Sequence, residues 1–303
     1  MPRRSLRQVL RNRLAAALDD LRLQLSRPDA LVRLSLLGVL TGFLTGWVIV
    51  AFIWLIEFAQ TSFLAGGEVE AYETLPLWAR LVLPLLGGVA IGVLFKLFAR
   101  GQNVVGVVHV MERLAYHQGR LPLRGMVLQF VGGALALVSG QSVGREGPGV
   151  HLGAASGSLL GQRLGLPNNS LRTLVGCGTA ASIAASFNTP LAGVIFALEV
   201  VMLDYTVASF LPVILAAVAA TLVSVAVFGP EPVFSIPFPE LNSLLELPYI
   251  LLLGLVVGGF SALFIHLTRF LAERASGHDF LLRTSLAGAL AGLCALLFPQ
   301  VMG

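Results

Sequence analysis

Residues 34–56 form an apolar run without a single charged residue. An α-helix needs about 20 such residues to cross the hydrocarbon core of a bilayer. Comparable runs occupy residues 81–95, 205–228 and 247–268. Of the 303 residues, 56% are hydrophobic and only 12% are charged, whereas soluble domains carry roughly 25% charged residues. The sequence therefore predicts an all-α, polytopic membrane protein and excludes most classes of soluble enzyme.

The charges of the connecting segments predict an orientation in the membrane. Eight arginines precede residue 34, and the connections 99–124 and 269–283 are also rich in arginine. The connections 58–80 and 229–246 carry mainly glutamate. Because Lys and Arg concentrate in cytoplasmic loops, we predict a multi-pass protein of the cell inner membrane. Residues 1–33 form a cytoplasmic basic N-terminal segment in this prediction, so the N-terminus is cytoplasmic.

Glycine is distributed in two characteristic ways along the apolar segments. Gly38, Gly42 and Gly46 repeat every four residues, which predicts a smooth helix face for close packing. The segments 125–143, 147–162, 173–189 and 190–203 are short and interrupted by glycine or proline. Short, broken helices are a means by which transporters build a binding site at mid-depth. We therefore expect the functional site in this middle region.

Two ionisable residues, Arg145 and Glu146, stand between two of these apolar segments within Gly144–Pro148. A charge at membrane depth is costly and is a candidate for function. Pro148 suits the first turn of a helix, and the free N–H groups and positive dipole end of that helix favour an anion. We predict that Glu146 competes with an anion for this position and leaves it when protonated. The alternative is that Glu146 only caps the helix and pairs with Arg145.

A second stretch, residues 186–199, contains Phe187, Asn188 and Pro190 within an otherwise apolar segment. Pro190 can end one helix and begin another, which would create a second helix N-terminus at membrane depth. A simple proline kink is the alternative.

Taken together, residues 144–148 and 186–199 resemble two signature stretches of the CLC family of chloride channels and proton–chloride antiporters. The resemblance implies a CLC-type helical fold with short broken helices around an anion site. It assigns residues 34–283 to the first inverted repeat and residues 284–303 to the first helix of a second repeat, so we expect a truncated chain. Glu146 takes the position of the gating glutamate. Gly144, Arg145, Gly147 and Pro148 match the loop whose backbone amides help to hold the anion.

Two other positions depart from the family pattern. Glu199 matches the first of two adjacent glutamates found in many bacterial exchangers, but the second, the inner proton-transfer glutamate, falls on Val200. Valine at this position is similar to the channel branch. The first anion motif of the family aligns with residues 104–108, where only Gly106 matches and Val105 replaces a serine. One hydroxyl donor is thereby lost, which bears on anion selectivity.

The resemblance predicts voltage- or proton-gated transport of a small monovalent anion, chloride above all, and no enzymatic activity. Channel-like transport is expected because of Val200. A proton-coupled chloride antiporter is one alternative, and a non-transporting truncated membrane subunit is another. The expected partners are the anion, the lipid bilayer, a second copy in a homodimer and the missing C-terminal half. We expect no nucleic acid, cofactor, metal site or catalytic residue.

Three histidines lie near the predicted site in sequence. His151 follows the Glu146 turn and is expected to be packed or bonded to water, since the sequence offers it no partner. His109 and His117 lie in the basic connection 99–124 and are expected to be solvated.

Overall fold

The structure is a computed structural model that describes residues 31–64, 71–99, 106–203, 206–230 and 246–302. Nearly the whole predicted N-terminal segment, together with Val105, lies outside these residues. The described part of the chain is α-helical and contains no β-strand. The all-α prediction is thereby confirmed.

Ten α-helices follow one another in the described residues. They are α1 Leu31–Phe63, α2 Leu77–Phe98, α3 Val107–Tyr116, α4 Leu123–Val138, α5 Glu146–Leu164, α6 Asn168–Phe187, α7 Pro190–Phe196, α8 Val207–Phe228, α9 Glu246–Ala275 and α10 Phe280–Leu297. A π-helical turn, Ala197–Met202, continues α7, and short 3₁₀ turns occupy Tyr72–Thr74 and Pro299–Val301.

Five of these helices are long and apolar enough to cross a bilayer, namely α1, α2, α8, α9 and α10. Helices α4 and α7 are apolar but shorter. Residues of α9 face outward along its length, with large apolar side chains such as Leu255 and Phe264 exposed. Outward-facing apolar side chains are expected where lipid replaces water as the solvent. The chain is a multi-pass membrane protein.

The glycine face of α1 packs against α8. A methyl group on Gly42 would overlap the backbone of Ala216, and one on Gly38 would lie 2.6 Å from the carbonyl oxygen of Pro212. Gly46 meets Val223 and Ala220 in the same way. The predicted packing role of this glycine repeat is confirmed, because only the missing side chains allow the two backbones to approach.

Helix α6 forms the centre of the fold. It packs against α1, α5, α7 and α8, and its small residues are buried around most of its circumference. Leu174, Cys177 and Ala181 belong to the largest buried apolar cluster, with Ile49 of α1 and Val213 of α8. A helix buried on so many sides can only be accommodated because alanine, glycine and serine dominate it.

Helices α2 and α10 form a second close pair beside this centre. Gly88 of α2 approaches the backbone of Thr284, and Gly288 of α10 approaches the carbonyl oxygen of Pro84. The Gln141 side chain donates a hydrogen bond of 2.7 Å to that same carbonyl oxygen. α10 is thereby attached to the helices that precede the middle region.

In the connection 99–124, the described residues 106–124 include a helix where the sequence suggested a loop. This helix is α3, which buries Val110 and Leu114. The following turn is fixed to α5, because Ser158 Oγ accepts a hydrogen bond from the Leu121 amide at 2.8 Å and donates to the Gly119 carbonyl at 2.7 Å. α3 is therefore part of the packed fold rather than a solvated loop.

Candidate functional site

The turn before α5 forms the first part of the candidate site. Arg145 is the N-cap of α5 and Glu146 is its first residue, so the helix begins two residues before Pro148. The Gly149 amide already donates to the Arg145 carbonyl at 2.9 Å. The first amides of a helix have no acceptor within it, so Glu146 and Gly147 present free N–H groups in the first turn, and Pro148 has no N–H to add. Glu146 thus lies within the helix start and not in a loop that faces it.

The Glu146 side chain folds back over the turn. Its carboxylate contacts Gly144, and a methyl group at Gly144 would collide with it. The side chain is exposed. No ion pair joins Glu146 to Arg145 in the described residues, so the simple pairing that the sequence left open is not formed. A carboxylate at a helix N-terminus is stabilised there by the dipole and the free amides.

Arg145 instead connects the two signature stretches. Its guanidinium lies 5.3 Å from the centroid of the Phe187 ring at the end of α6. On the neighbouring turn, a methyl group on Gly149 would lie only 3.6 Å from Ser186 Oγ. The fold therefore brings residues 144–149 and 186–187 side by side, although about 40 residues separate them in sequence.

The second stretch breaks the chain between α6 and α7. Asn188 has a left-handed backbone conformation with φ of 54°, and its side-chain amide donates to the Pro230 carbonyl at 2.9 Å. Thr189 is the N-cap of α7 and Pro190 is its first residue. The geometry is a true helix break followed by a new helix start, and not a kink in one continuous helix.

A third helix start, at Gly106, is joined to α5. Gly106 is the N-cap of α3 with φ of 87°, a conformation that favours glycine. His109, in the first turn of α3, forms a 3.0 Å hydrogen bond with His151 in the second turn of α5. The starts of α3 and α5 are therefore held together. Val105 lies outside the described residues, so its assignment to the anion-binding residues stays a prediction.

The prediction for His109 was wrong. The residue is 5% exposed, and its partner His151 is fully buried. His117 is exposed, as expected. Nothing in the sequence links two histidines 42 residues apart, because the contact exists only after α3 has packed on α5.

The predicted inner relay position lies at the other end of α7. Glu199 and Val200 belong to the π-helical turn Ala197–Met202, and both are exposed. Glu199 lies nine positions after Pro190, roughly 13 Å further along the helix axis. The turn is fixed to α6 by Met202, which fills the space left by Gly176. The structure thus brings Arg145 to Phe187 near the start of α7, whereas Glu199 lies toward the opposite end of that segment.

The family model described as voltage gated chloride channel matches residues 87–303. This range contains the second part of α2 and all the helices from α3 to α10. The chain belongs to the voltage-gated chloride channel (CLC) family. The match covers both signature stretches and the connection that carries α3.

Individual relatives agree with this assignment. The CLC chain is 34% identical over 247 residues to a putative ClcB-like chloride channel protein of Ralstonia nicotianae, covering 78% of this chain and 57% of the relative. It is 31% identical over 293 residues to the H⁺/Cl⁻ exchange transporter ClcA of Vibrio cholerae, covering 91% of this chain and 60% of the relative. The chain thus spans about three fifths of the length of these curated relatives.

A solved structure shows the same fold. The crystal structure of a CLC-type fluoride/proton antiporter superimposes with a TM-score of 0.71 at 29% sequence identity. The superposition covers 91% of this CLC chain and 68% of the antiporter chain. Channels and antiporters both occur among these relatives, so membership of the family leaves the mode of transport open.

Proposed function

We propose that this chain takes part in the transport of a small monovalent anion across a membrane, with chloride as the favoured ion and Glu146 as the gate. The observation that carries the proposal is the Glu146 carboxylate folded over the start of α5. The free amides and dipole of that helix favour one negative charge at this position. The carboxylate supplies that charge while ionised, and a permeating anion would have to replace it.

Protonation of Glu146 would let a permeating anion replace the carboxylate at the start of α5. The neutral carboxyl loses its attraction to the helix N-terminus, the side chain swings away, and an anion takes the position in front of the amides. The proton stays on the carboxyl oxygen until the anion leaves. Anion flux should therefore rise as the pH on the side that reaches Glu146 falls. Arg145, placed over Phe187, keeps positive charge beside the same position.

Channel-like transport is the favoured mode, because Val200 cannot carry a proton. A proton-coupled antiporter is the second candidate. It is supported by the names of two relatives, the H⁺/Cl⁻ exchange transporter ClcA and the CLC-type fluoride/proton antiporter. The second of these names also makes fluoride an ion to test beside chloride.

We also propose a membrane, an orientation and an oligomeric state for the protein. We place it in the cell inner membrane with a cytoplasmic N-terminus, as a homodimer. The division of residues 34–283 and 284–303 between a first and a second repeat belongs to the same proposal. The basic connections support the orientation.

The test is anion efflux from liposomes that contain the 303-residue chain, measured for chloride and for fluoride over a range of external pH. Glu146→Gln removes the titratable carboxyl, and Glu273→Gln in the last turn of α9 is the control for loss of one acid far from the turn. We expect pH-dependent flux for the parent chain and the control, and pH-independent flux for Glu146→Gln. Unchanged pH dependence in Glu146→Gln would refute the gate assignment.

Simultaneous recording of proton movement separates the modes. Anion flux without proton movement supports the channel, and proton uptake driven by an anion gradient supports the antiporter. Absence of flux from every variant would favour the non-transporting subunit.

A further inference from the structure

A hydrogen-bonded chain of three side chains, the half-buried Arg113 and the buried His109 and His151, joins α3 to α5. Arg113 Nε donates to His109 Nε2 at 3.1 Å, and His109 Nδ1 lies 3.0 Å from His151 Nε2. The two imidazole planes are inclined by 16° with their centroids 5.3 Å apart. Because the centroids are much farther apart than the bonded nitrogens, the rings lie edge to edge in nearly one plane. An N–H in one ring plane then points at the lone pair of the other ring.

Arg113 fixes the position of every proton in the neutral pair. A guanidinium has no acceptor, so His109 Nε2 must offer its lone pair and His109 must carry its hydrogen on Nδ1. That hydrogen is donated to His151 Nε2, which must therefore be unprotonated. The hydrogen of His151 is then on Nδ1. This nitrogen is buried and has no hydrogen-bond partner among the described residues.

A further proton has one place to go. The two rings hold four nitrogens, and the neutral pair already carries one proton between the rings and one on His151 Nδ1. The remaining nitrogen is His109 Nε2, the acceptor of Arg113. A proton there would place two donors and two positive charges face to face at 3.1 Å. Protonation and the Arg113 bond therefore exclude each other.

We propose that the His109–His151 pair is a proton-binding site whose occupation displaces Arg113 from His109. The proton comes from solvent and ends on His109 Nε2, while the proton between the rings stays shared. Arg113 is only half-buried, so its guanidinium can turn outward when the lone pair is lost. Proton binding is thereby coupled to a movement of the Arg113 side chain on α3, the helix whose start is held against α5.

Apolar side chains surround the two histidines, so protonation of the pair acts mainly on Arg113. Val110 and Val150, the neighbours of the two histidines in sequence, pack in one apolar cluster with Val175 of α6 and Val201 of the π-helical turn. On the α4 side, a methyl group on Gly125 would lie 3.7 Å from His151 Cε1. The other titratable or charged groups on these elements are Glu112, Arg113 and Tyr116 on α3 with His117 at its C-cap, Arg124 on α4, Glu146 and Arg163 on α5, Arg172 and Cys177 on α6, and Glu199 in the turn. Among these, only Arg113 is hydrogen-bonded to the pair.

Such a site bears on proton coupling. The proton site stands on its own geometry, whereas its use in transport rests on the proposed function. A coupled exchanger needs a proton acceptor in addition to Glu146, and position 200 holds valine. His151 of the pair lies on the same helix as Glu146, five residues further along the sequence, and connects the proton site on α3 to that helix.

The test is a ¹⁵N NMR titration of the complete chain in lipid nanodiscs, labelled at its histidines and arginines. The chain has 5 histidines, and His109→Gln and His151→Gln assign the signals of the pair. At neutral pH we expect His109 and His151 to be Nδ1–H tautomers. On acidification, His109 Nε2 should acquire a proton at the pH at which the Arg113 Nε signal moves.

Variants at position 113 measure how strongly Arg113 lowers the affinity of the histidine pair for a proton. Arg113→Met removes both the competing donor and its charge, so the affinity of the pair for a proton should rise about tenfold, a shift of the titration midpoint by about one pH unit. Arg113→Lys keeps the charge and should remain closer to the parent chain. Arg120→Met, which removes an exposed arginine of the same connection, should leave the midpoint unchanged.

Three results would overturn the proposal. They are an Nε2–H tautomer of His109 at neutral pH, an Arg113 signal that stays constant while the pair titrates, and an unchanged midpoint in Arg113→Met. None of these measurements depends on anion flux, so failure of the proton site and failure of the Glu146 gate remain distinguishable.

Discussion

Gly153 of α5 and Gly178 of α6 face each other with no side chain between the two helices. A Cβ atom on either glycine would overlap the carbonyl oxygen of the other. The contact is thus reciprocal, and it fixes how closely the helix that begins at Glu146 approaches the helix that ends at Phe187. The distance between the two signature stretches depends on this pair.

Substitution of either glycine should therefore separate α5 from α6. We expect Gly153→Ala and Gly178→Ala each to destabilise the fold by about 1–3 kcal/mol, the usual cost of overpacking a tight core. Thermal unfolding in detergent, followed by intrinsic fluorescence, measures this loss. Gly258→Ala in α9 is the matched control, because no described atom outside its own helical turns lies within 4 Å of the position that its methyl group would take. Equal melting temperatures for all three variants would contradict this account of the α5–α6 contact.

Tyr72 holds the segment before α2 to the end of α4. Its buried hydroxyl donates to the Leu137 carbonyl at 2.8 Å and accepts a hydrogen bond from Gln60 Nε2 at 2.9 Å. Tyr72→Phe would leave both partners without this hydroxyl, at a cost of about 1–3 kcal/mol. Tyr249→Phe, at a position 68% exposed, should have little effect in the same unfolding assay. A loss of stability in Tyr249→Phe as large as in Tyr72→Phe would argue against the buried network as the cause.

Lys96 at the end of α2 and Asp279 before α10 form an ion pair of 3.2 Å. The hydrogen bond from Lys96 and its charge lower the pKa of the Asp279 carboxyl. The contribution of this pair to stability is therefore fully present above the ordinary aspartate pKa of about 3.9 and is lost as the pH falls through the lowered pKa of the folded state. Both side chains are well exposed, so the effect should be small.

A double-mutant cycle measures the Lys96–Asp279 pair. Lys96→Gln and Asp279→Asn should lower the melting temperature by similar small amounts at pH 7, and the double variant by no more than either one. The differences should shrink at high salt. Additive losses would show that the two side chains act independently.

Val200 offers a direct test of the channel-like mode. Because its side chain is 38% exposed, the longer side chain of a glutamate has room there. Val200→Glu would restore an acidic group at the inner relay position, and we expect proton movement to accompany anion flux in liposomes. Leu203→Glu places a carboxylate on the exposed surface three residues further on and should not couple the two fluxes. Equal coupling in the two variants would show that position 200 has no special role.

The sequence was sufficient for the properties that depend on local pattern. Apolar runs predicted the helices that became α1, α2, α8 and α9, since length and hydropathy alone decide whether a helix can span a bilayer. The glycine repeat of α1 predicted a packing face, because a spacing of four places residues on one side of a helix. The break at Pro190 was also predicted, since proline cannot continue the preceding helix.

Tertiary structure decided the rest of the site. The sequence indicated a loop where α3 forms, because a ten-residue helix gains most of its stability from packing. Arg145 could have paired with its neighbour Glu146 by sequence alone, and only the folded position of Phe187 drew it to the ring. The contact between His151 and its buried partner His109 could not be predicted either, because it forms only when α3 packs on α5. Hydropathy and helix periodicity act over a few residues, whereas contacts between residues about 40 positions apart exist only once helices have packed.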